Sequence, residues 1–178
     1  TNSVGCSSTV TGLLNVNGGV TAAITAGGPT TFCQGGSVTL TASTGSSYLW
    51  SNGAQTQAIT VTTGGSYYVT VTNGCASTSP STTVTVSPLP TANILANGPL
   101  TFCQGGSVTL SASPVVAGNT YSWSNGATTP TISVTSSATV TLTITNAAGC
   151  SVTSLPTAVN VFTNPTATIT ANGSTTFC

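Results

Sequence analysis

The sequence predicts an all-β protein built from tandem immunoglobulin-like β-sandwich repeats of about 70–75 residues. Three observations support this prediction: a repeated phrase, apolar residues that alternate with polar ones, and one tryptophan in each repeat. The phrase "TFCQGGSVTL" occupies residues 31–40 and occurs again, unchanged, at residues 101–110. Self-similarity at a fixed interval is typical of proteins in which each repeat forms one structural unit.

Further segments recur at the same interval. "YLWSNGAQTQAITVT" (48–62) matches "YSWSNGATTPTISVT" (121–135), and "TAAITAGGPTTFC" (21–33) has two related copies, at 91–103 and 166–178. The opening "TNSVGC" matches "TNGC" and "TNAAGC", which stand near the end of each repeat. We therefore expect a window cut from a longer tandem array. Its predicted parts are the end of a preceding repeat at 1–17, whole repeats at 18–88 and 89–163, and the start of a following repeat at 164–178.

Apolar side chains recur at every second residue within each repeat. Val38, Leu40 and Ala42 alternate with Thr, and Val108 and Leu110 repeat the pattern. This period is that of a β-strand with one buried face. Asn-Gly and Gly-Gly pairs separate the alternating segments, as turns do, and no segment has a helical period. About seven short strands per repeat are expected, which is the strand number of a small immunoglobulin-like sandwich.

Charged residues are absent, because the chain of 178 residues contains no Lys, Arg, Asp, Glu or His. General acid–base catalysis and the activation of a Ser or Cys nucleophile depend on such groups. Calcium sites use carboxylates, and nucleic-acid binding uses basic residues. We therefore expect no enzyme activity, no cofactor, no metal and no nucleic-acid partner. No apolar run approaches the roughly 18–20 residues of a membrane span, so no span is expected.

Each repeat contains a single tryptophan. Trp50 and Trp123 fall on the third predicted strand, with Tyr48 and Tyr121 nearby. Immunoglobulin-like sandwiches place a buried Trp on the corresponding strand, so we predict that both tryptophans are core residues. The alternative is that the indole rings are exposed and stack on sugar rings, which would make the chain an array of carbohydrate-binding modules.

The six cysteines fall into two classes. One class follows Phe before the second predicted strand, and the other follows Gly in the turn between the last two predicted strands. The first class is Cys33, Cys103 and Cys178, and the second is Cys6, Cys75 and Cys150. Without His or a Cys-x-x-Cys pair a zinc site is disfavoured. Disulfide bonds are the expected state, and they imply an oxidising, extracellular setting.

The expected sandwich topology determines which cysteines can meet. Cys33 would lie at the end of its repeat that faces the next repeat, whereas Cys75 would lie at the opposite end, about 20 Å or more away. A disulfide needs Cα atoms about 4.4–6.8 Å apart. We therefore predict an inter-domain Cys33–Cys150 bond. The partners of Cys6, Cys75, Cys103 and Cys178 are expected outside the sequence. The alternative pairings within repeats, Cys33–Cys75 and Cys103–Cys150, require a different topology.

Over essentially the whole chain, the sequence resembles the immunoglobulin-like, PKD-like repeats of giant cell-surface adhesins and filaments of Bacteroidota, including gliding-motility adhesins and other products of type IX secretion. The features that carry the resemblance are Cys-x-Gly before the second strand, Trp-Ser-Asn-Gly at 50–53 and 123–126, and Gly-Cys at 74–75 and 149–150. Such repeats usually contain some Asp and Lys, whereas this chain contains none.

The resemblance implies a structural and adhesive function outside the cell, at the cell surface. The chain would act as a disulfide-stiffened stalk or fibre. The expected partners are neighbouring repeats of the same chain, like chains in a filament, and surface glycans. Two alternatives are a carbohydrate-binding module array and a non-catalytic appendage of a secreted hydrolase.

Overall fold

Short β-strands form all of the regular secondary structure in the computed structural model, which describes residues 20–170, 172 and 173. The chain divides into two compact units between Val86 and Ser87, close to the repeat boundary expected after residue 88. The predicted repeat end at 1–17 lies outside the described residues, and the predicted repeat start at 164–178 is described only in part.

The described part of the first unit contains nine strands, β1 to β9: Ile24–Ala26, Thr31–Cys33, Val38–Ala42, Ser47–Trp50, Ala58–Val61, Gly65–Tyr67, Val69–Asn73, Cys75–Thr78 and Thr82–Ser87. Among the described residues of the second unit are the nine equivalent strands, β10 to β18: Asn93–Ala96, Thr101–Cys103, Val108–Ser113, Thr120–Trp123, Thr131–Val134, Ala138–Val140, Leu142–Thr145, Ser151–Thr153 and Thr157–Phe162.

One layer of the first unit is the antiparallel sheet β1-β3-β5, and the other layer comprises β4-β7-β8 and β2-β9-β6. The second unit repeats this arrangement as β10-β12-β14, β13-β16-β17 and β11-β18-β15. Strand β11 runs parallel to β18, whereas the other pairs in this unit are antiparallel. The structure confirms the predicted all-β, immunoglobulin-like sandwich.

Each unit has its own hydrophobic core between the two layers. The first core consists of Ala22, Val38, Leu40, Ala42, Trp50, Ile59, Val61, Tyr67, Val69, Val71 and Val84. The second consists of Ala92, Val108, Leu110, Ala112, Tyr121, Trp123, Ile132, Val134, Val140, Leu142, Ile144 and Val159. These residues stand at alternate positions of the strands, because successive side chains of a strand point to opposite faces of the sheet.

The strand count differs from the sequence-based expectation of about seven per repeat. The first strand is divided into two parts that belong to different layers, β1 and β2 in the first unit. The last two strands are also interrupted, so that β6 and β7 continue one another, as do β8 and β9. Trp50 consequently lies on the fourth strand in chain order and not on the third. Joining the interrupted parts gives six strands per unit, one fewer than the expected number of about seven, and Trp50 then lies on the third.

A buried serine accompanies the interruption of the last strand. The side chain of Ser79 takes the place of a backbone acceptor: the N–H of Val69 donates to Ser79 Oγ at 3.1 Å. In return, the N–H of Ser79 donates to the Val69 carbonyl at 2.9 Å. Ser154 makes the same two bonds with Leu142, at 3.1 and 2.8 Å. Pro80 follows Ser79 directly, and a proline cannot donate to a neighbouring strand. The side-chain hydroxyl therefore satisfies a backbone donor where regular pairing stops.

The described part of the chain contains no helix that is long and apolar enough to cross a membrane.

Candidate functional site

The repeated phrase forms a tight turn that carries the first class of cysteine. We call residues Cys33–Gly36 and Cys103–Gly106 the CQGG turns. In the first, the N–H of Gly36 donates to the Cys33 carbonyl at 2.9 Å, and Gly35 has φ of +92°. A turn closed in this way with a positive φ at its third residue is typical of type II, which favours glycine there. The second turn has the same bond, at 3.0 Å.

The phenylalanine ring of the phrase packs against the last glycine of the turn. A Cβ atom placed on Gly36 would lie 3.1 Å from the ring of Phe32 and 3.1 Å from the Cys33 carbonyl oxygen. On Gly106 it would lie 3.0 Å from the ring of Phe102. Any larger residue would have to push the ring or the turn aside by a few tenths of an ångström, so glycine lets the ring cover the turn while the ring also packs on the core. The covered turn holds the cysteine backbone at a fixed place on the strand end.

The CQGG turn of the second unit lies where the chain leaves that unit. Cys103 is the register partner of Phe162, the last residue of β18. The N–H of Gln104 donates to the Phe162 carbonyl at 2.8 Å. Beyond the strand, the side-chain amide of Asn164 donates to the Gln104 carbonyl at 3.1 Å. We call this end of a unit, which holds the CQGG turn and the last strand residue, the exit end.

The second class of cysteine lies at the hairpin between the last two strands. In the second unit this hairpin turn is Asn146–Cys150. Asn146 Oδ1 accepts hydrogen bonds from the N–H groups of Ala148 and Cys150, both at 3.0 Å. Its Nδ2 donates to the carbonyl of Pro88 at 2.9 Å. The hairpin turn is therefore tied to the segment through which the chain enters the unit, and we call this the entry end.

The hairpin turn of the first unit is shorter. Asn73 is the register partner of Cys75, and only Gly74, with φ of +78°, lies between them. The second unit has two more residues in this turn, Ala147 and Ala148. The cysteine nevertheless begins the penultimate strand segment, β8, in the first unit and directly precedes β17 in the second.

The two ends of a unit are too far apart for a disulfide within it. In the second unit, β17 and β18 connect the hairpin turn to the exit end, and a stretch of this length spans roughly 30 Å or more. A disulfide requires Cα atoms about 4.4–6.8 Å apart. The fold is thus incompatible with a Cys103–Cys150 bond.

The redox states of equivalent cysteines differ. Cys33 and Cys150 are disulfide-bonded, whereas Cys75 and Cys103 are exposed free thiols. Neither pairing within a repeat, Cys33–Cys75 or Cys103–Cys150, is therefore formed. The bond between Cys33 and Cys150 stays a prediction, as do partners for Cys75 and Cys103 outside the sequence. Cys6 and Cys178 lie outside the described residues.

The tryptophans lie inside the two cores. Trp50 and Trp123 are each 2% exposed, and their indole N–H groups donate to the carbonyls of Thr56 and Thr129 at 2.8 Å. Neither ring can stack on a sugar at the surface. The carbohydrate-binding alternative required these two rings to be exposed in a row at the surface, and they are buried.

Sequence reasoning did not identify Asn146 and Asn164 as the residues that hold the chain at the two ends of the second unit. Asn146 belongs to the recurring segment "TNAAGC", but this local pattern does not indicate its contact with Pro88, which lies 58 residues away in the sequence. The buried serines Ser79 and Ser154 were also missed. Their only local signal is a proline one or two residues later.

The chemistry available at these ends is that of thiols and disulfides. The described residues contain no group of three or more His, Cys, Asp or Glu that could hold a metal ion. Disulfide-bonded cysteines are typical of oxidising compartments outside the cytosol.

The fold is similar to that of solved immunoglobulin-like domains at low sequence identity. The three N-terminal domains of the Highly Immunogenic Outer Capsid protein (Hoc) of bacteriophage RB49 match 80% of this chain with 20% identity and a TM-score of 0.39, and this chain spans 59% of that structure. Murine CEACAM1b matches 79% of this chain, and all of its own, with 12% identity and a TM-score of 0.39. The human OSCAR ligand-binding domain matches 77% of this chain, and 95% of its own, with 13% identity and a TM-score of 0.31.

No protein-family model matches the chain, and no curated protein sequence is significantly similar to it.

Proposed function

We propose that this chain is a segment of a long extracellular adhesin or surface filament and acts as a disulfide-stiffened stalk. Its role is mechanical: it separates a distal part of the protein from the cell surface. The sequence resemblance supports a bacterial surface protein of the gliding-motility-adhesin type, exported by type IX secretion. Neighbouring repeats, and like chains in a filament, are the partners that such a stalk requires.

The observation that carries this proposal is the placement of the two cysteine-bearing turns at opposite ends of a unit. In the second unit, Asn146 ties the hairpin turn to Pro88, where the chain enters. Asn164 ties the segment that leaves to the CQGG turn. Each end of a repeat thus presents one cysteine beside the connection to the adjacent repeat. This arrangement suits a bond between successive repeats and does not suit a bond within one.

A Cys33–Cys150 bond would close a loop of more than a hundred residues. In the chain-entropy description, such a bond stabilises the folded state by roughly 4–5 kcal/mol. Sandwiches of about 70 residues have marginal cores, so this contribution would matter. The bond would also restrict bending at the joint, where a chain without carboxylates cannot bind calcium.

Disulfide mapping tests the proposal, and the repeated phrase dictates its design. Chymotrypsin, which cuts after Phe and Leu, releases the same peptide, CQGGSVTL, from 33–40 and from 103–110. The exposed Ser107 should therefore first be changed to Ala, so that the two peptides differ in mass. Non-reducing mass spectrometry of the oxidised Ser107→Ala protein then distinguishes Cys33 from Cys103. Trypsin is unsuitable because the chain contains no Lys or Arg.

The expected result is the 33–40 peptide linked to the peptide 143–162, which contains Cys150. A link from 33–40 to the peptide that contains Cys75 would overturn the stalk, because each repeat would then be closed on itself. Links from Cys33 and Cys150 to other cysteines would also overturn it, since the joint between the two repeats would then lack its covalent bond.

A further inference from the structure

Asparagine followed by glycine is a dipeptide that can lose the side-chain amide without an enzyme. The backbone nitrogen of the glycine attacks the side-chain amide carbon of the asparagine, and glycine, which has no Cβ, leaves this approach open. Besides the pair in the hairpin turn of the first unit, the two sandwiches contain three such pairs: Asn52–Gly53, Asn97–Gly98 and Asn125–Gly126. The dipeptide alone makes the three pairs equivalent, whereas their hydrogen bonds distinguish them.

Two of the pairs lie in the Trp-Ser-Asn-Gly turns, where hydrogen bonds hold both reacting groups. The N–H of Gly53, which contains the attacking nitrogen, donates to the Trp50 carbonyl at 2.9 Å. Asn52 Oδ1 accepts a hydrogen bond from the N–H of Ala54 at 3.2 Å. The turn of the second unit repeats both bonds, at 2.9 and 3.1 Å. Attack in either turn therefore requires that two hydrogen bonds open first.

The third pair, Asn97–Gly98, directly follows the edge strand β10 and lacks this protection. No described residue accepts a hydrogen bond from the N–H of Gly98. The Asn97 side chain makes one bond, from Nδ2 to Ser111 Oγ at 2.6 Å. Because Asn97 is exposed, water can replace this partner at a small cost in free energy. The attacking nitrogen is free, and the amide carbon can turn towards it.

The fold does not need an asparagine at this position. The equivalent residue of the first unit is Gly27, whose N–H donates to the Thr39 carbonyl at 2.8 Å. The N–H of Asn97 makes the same bond to Thr109, at 2.9 Å. The backbone is therefore held in the same way with either residue, and the reactive side chain is an addition that the second unit carries.

We propose that Asn97 deamidates spontaneously in the folded protein, whereas Asn52 and Asn125 are protected by their turns. The products are aspartate and isoaspartate. Their carboxylate would be a charged side chain in a chain that has none. This inference is independent of the proposed stalk, because it concerns the chemistry of one segment within the second unit.

The reaction needs water as its only co-reactant. The Gly98 nitrogen gives up its proton to solvent and bonds to the side-chain carbonyl carbon of Asn97. The bond from that carbon to the amide nitrogen breaks, and the nitrogen takes up a proton and leaves as ammonia. Water then opens the resulting five-membered succinimide ring at one of its two carbonyl carbons, which gives either aspartate or isoaspartate. No atom is oxidised or reduced.

Peptide mapping of the full chain measures the three sites separately. Chymotrypsin, which also cuts after Trp and Tyr, places them in the peptides 51–67, 96–100 and 124–142, each of which contains a single asparagine. The folded protein is aged in H₂¹⁸O at mildly alkaline pH and then digested in ordinary water at slightly acidic pH. The ¹⁸O label therefore marks only the deamidation that preceded digestion. A parallel sample is aged in urea with a reductant.

We expect similar rates at the three sites in urea, where no turn protects them. In the folded protein, Asn52 and Asn125 should react at least about tenfold more slowly than Asn97, since two hydrogen bonds must open first. Asn97 should stay within about fivefold of its own rate in urea, since only one exposed bond restrains it. A folded-state rate at Asn97 as low as the rates in the two turns would overturn the inference.

Gly27→Asn transfers the site to the first unit. A Cβ atom on Gly27 would lie 3.4 Å from the Thr39 carbonyl oxygen, an ordinary contact. Tandem mass spectrometry of the peptide 15–32 should find labelled product at position 27, formed at a rate within about fivefold of that at Asn97. Absence of this product, in a variant whose Trp50 fluorescence shows an intact fold, would contradict the position in the fold as the cause.

Ser111→Ala tests the one bond that restrains the amide. It should raise the rate at Asn97 about two- to fivefold and leave the rate at Asn125 unchanged. Asn125 is the internal control, because general unfolding of the second unit would expose both sites. A lower rate at Asn97, or an equal rise at the two asparagines, would contradict the proposed restraint.

Discussion

The side-chain amide of Asn146 donates a hydrogen bond to the carbonyl of Pro88, with 2.9 Å between nitrogen and oxygen. The carbonyl oxygen of the same side chain accepts from the N–H groups of Ala148 and Cys150. One residue therefore organises the hairpin turn and holds the segment through which the chain enters the second unit.

We predict that Asn146→Ala lowers the free energy of unfolding of the second unit by about 1–3 kcal/mol, because backbone N–H groups of the turn lose their acceptor. Denaturant unfolding would be followed by the fluorescence of Trp123 in a Trp50→Phe background, so that only the second unit is observed. Asn146→Asp is the matched variant: it keeps the acceptor for the turn but cannot donate to Pro88. It should lie between the wild type and Asn146→Ala. If Asn146→Asp is as stable as the wild type, the bond to Pro88 contributes nothing.

Ser79→Ala should destabilise the first unit by about 1–3 kcal/mol, since the buried N–H of Val69 would lose its partner. Trp50 fluorescence in a Trp123→Phe background reports this unit alone. Ser81→Ala is the control, because Ser81 is exposed and lies two residues away; it should change stability by less than about 0.5 kcal/mol. Equal effects of the two substitutions would show that the Ser79 hydroxyl has no special role.

Cysteines of the two redox states should respond differently to substitution. Cys33→Ser should lower stability by about 2–5 kcal/mol, as the loss of a native disulfide usually does. Cys75→Ser should leave stability within about 0.5 kcal/mol of the wild type, because this thiol is exposed and unbonded. Thermal unfolding of the oxidised proteins measures both. Once a reductant is added, Cys33→Ser and the wild type should unfold at the same temperature, and a persisting difference would count against the disulfide as the cause.

Stability should also be nearly independent of pH between about pH 4 and about pH 7. Its slope against pH equals the difference in bound protons between the unfolded and folded states. The chain contains no Asp, Glu, His, Lys or Arg to create such a difference. Urea unfolding at several pH values measures the slope. A clear step in the midpoint within this interval would contradict the prediction.

The sequence was sufficient to predict the layers and the two cores. Alternation at positions such as Val38 and Leu40 is a local signal, because a strand with one buried face needs an apolar residue at every second position. The same signal did not reveal where strands would be interrupted. Ser79 and Ser154 satisfy backbone donors about ten residues away or more, and the need for them arises only when two strands are already paired.

The two copies of "TFCQGGSVTL" form the same turn but differ in the redox state of their cysteine. Comparing them shows what the sequence by itself determined and what only the tertiary structure decided. The sequence determined the turn: both copies place glycine at the positive φ and cover the next glycine with phenylalanine. It also determined that the chain would carry no charge and that its cysteines would form two classes. The tertiary structure decided that Cys33 is bonded and Cys103 is free. The physical reason is that a turn depends on its own few residues, whereas a disulfide depends on which distant part of a chain reaches it.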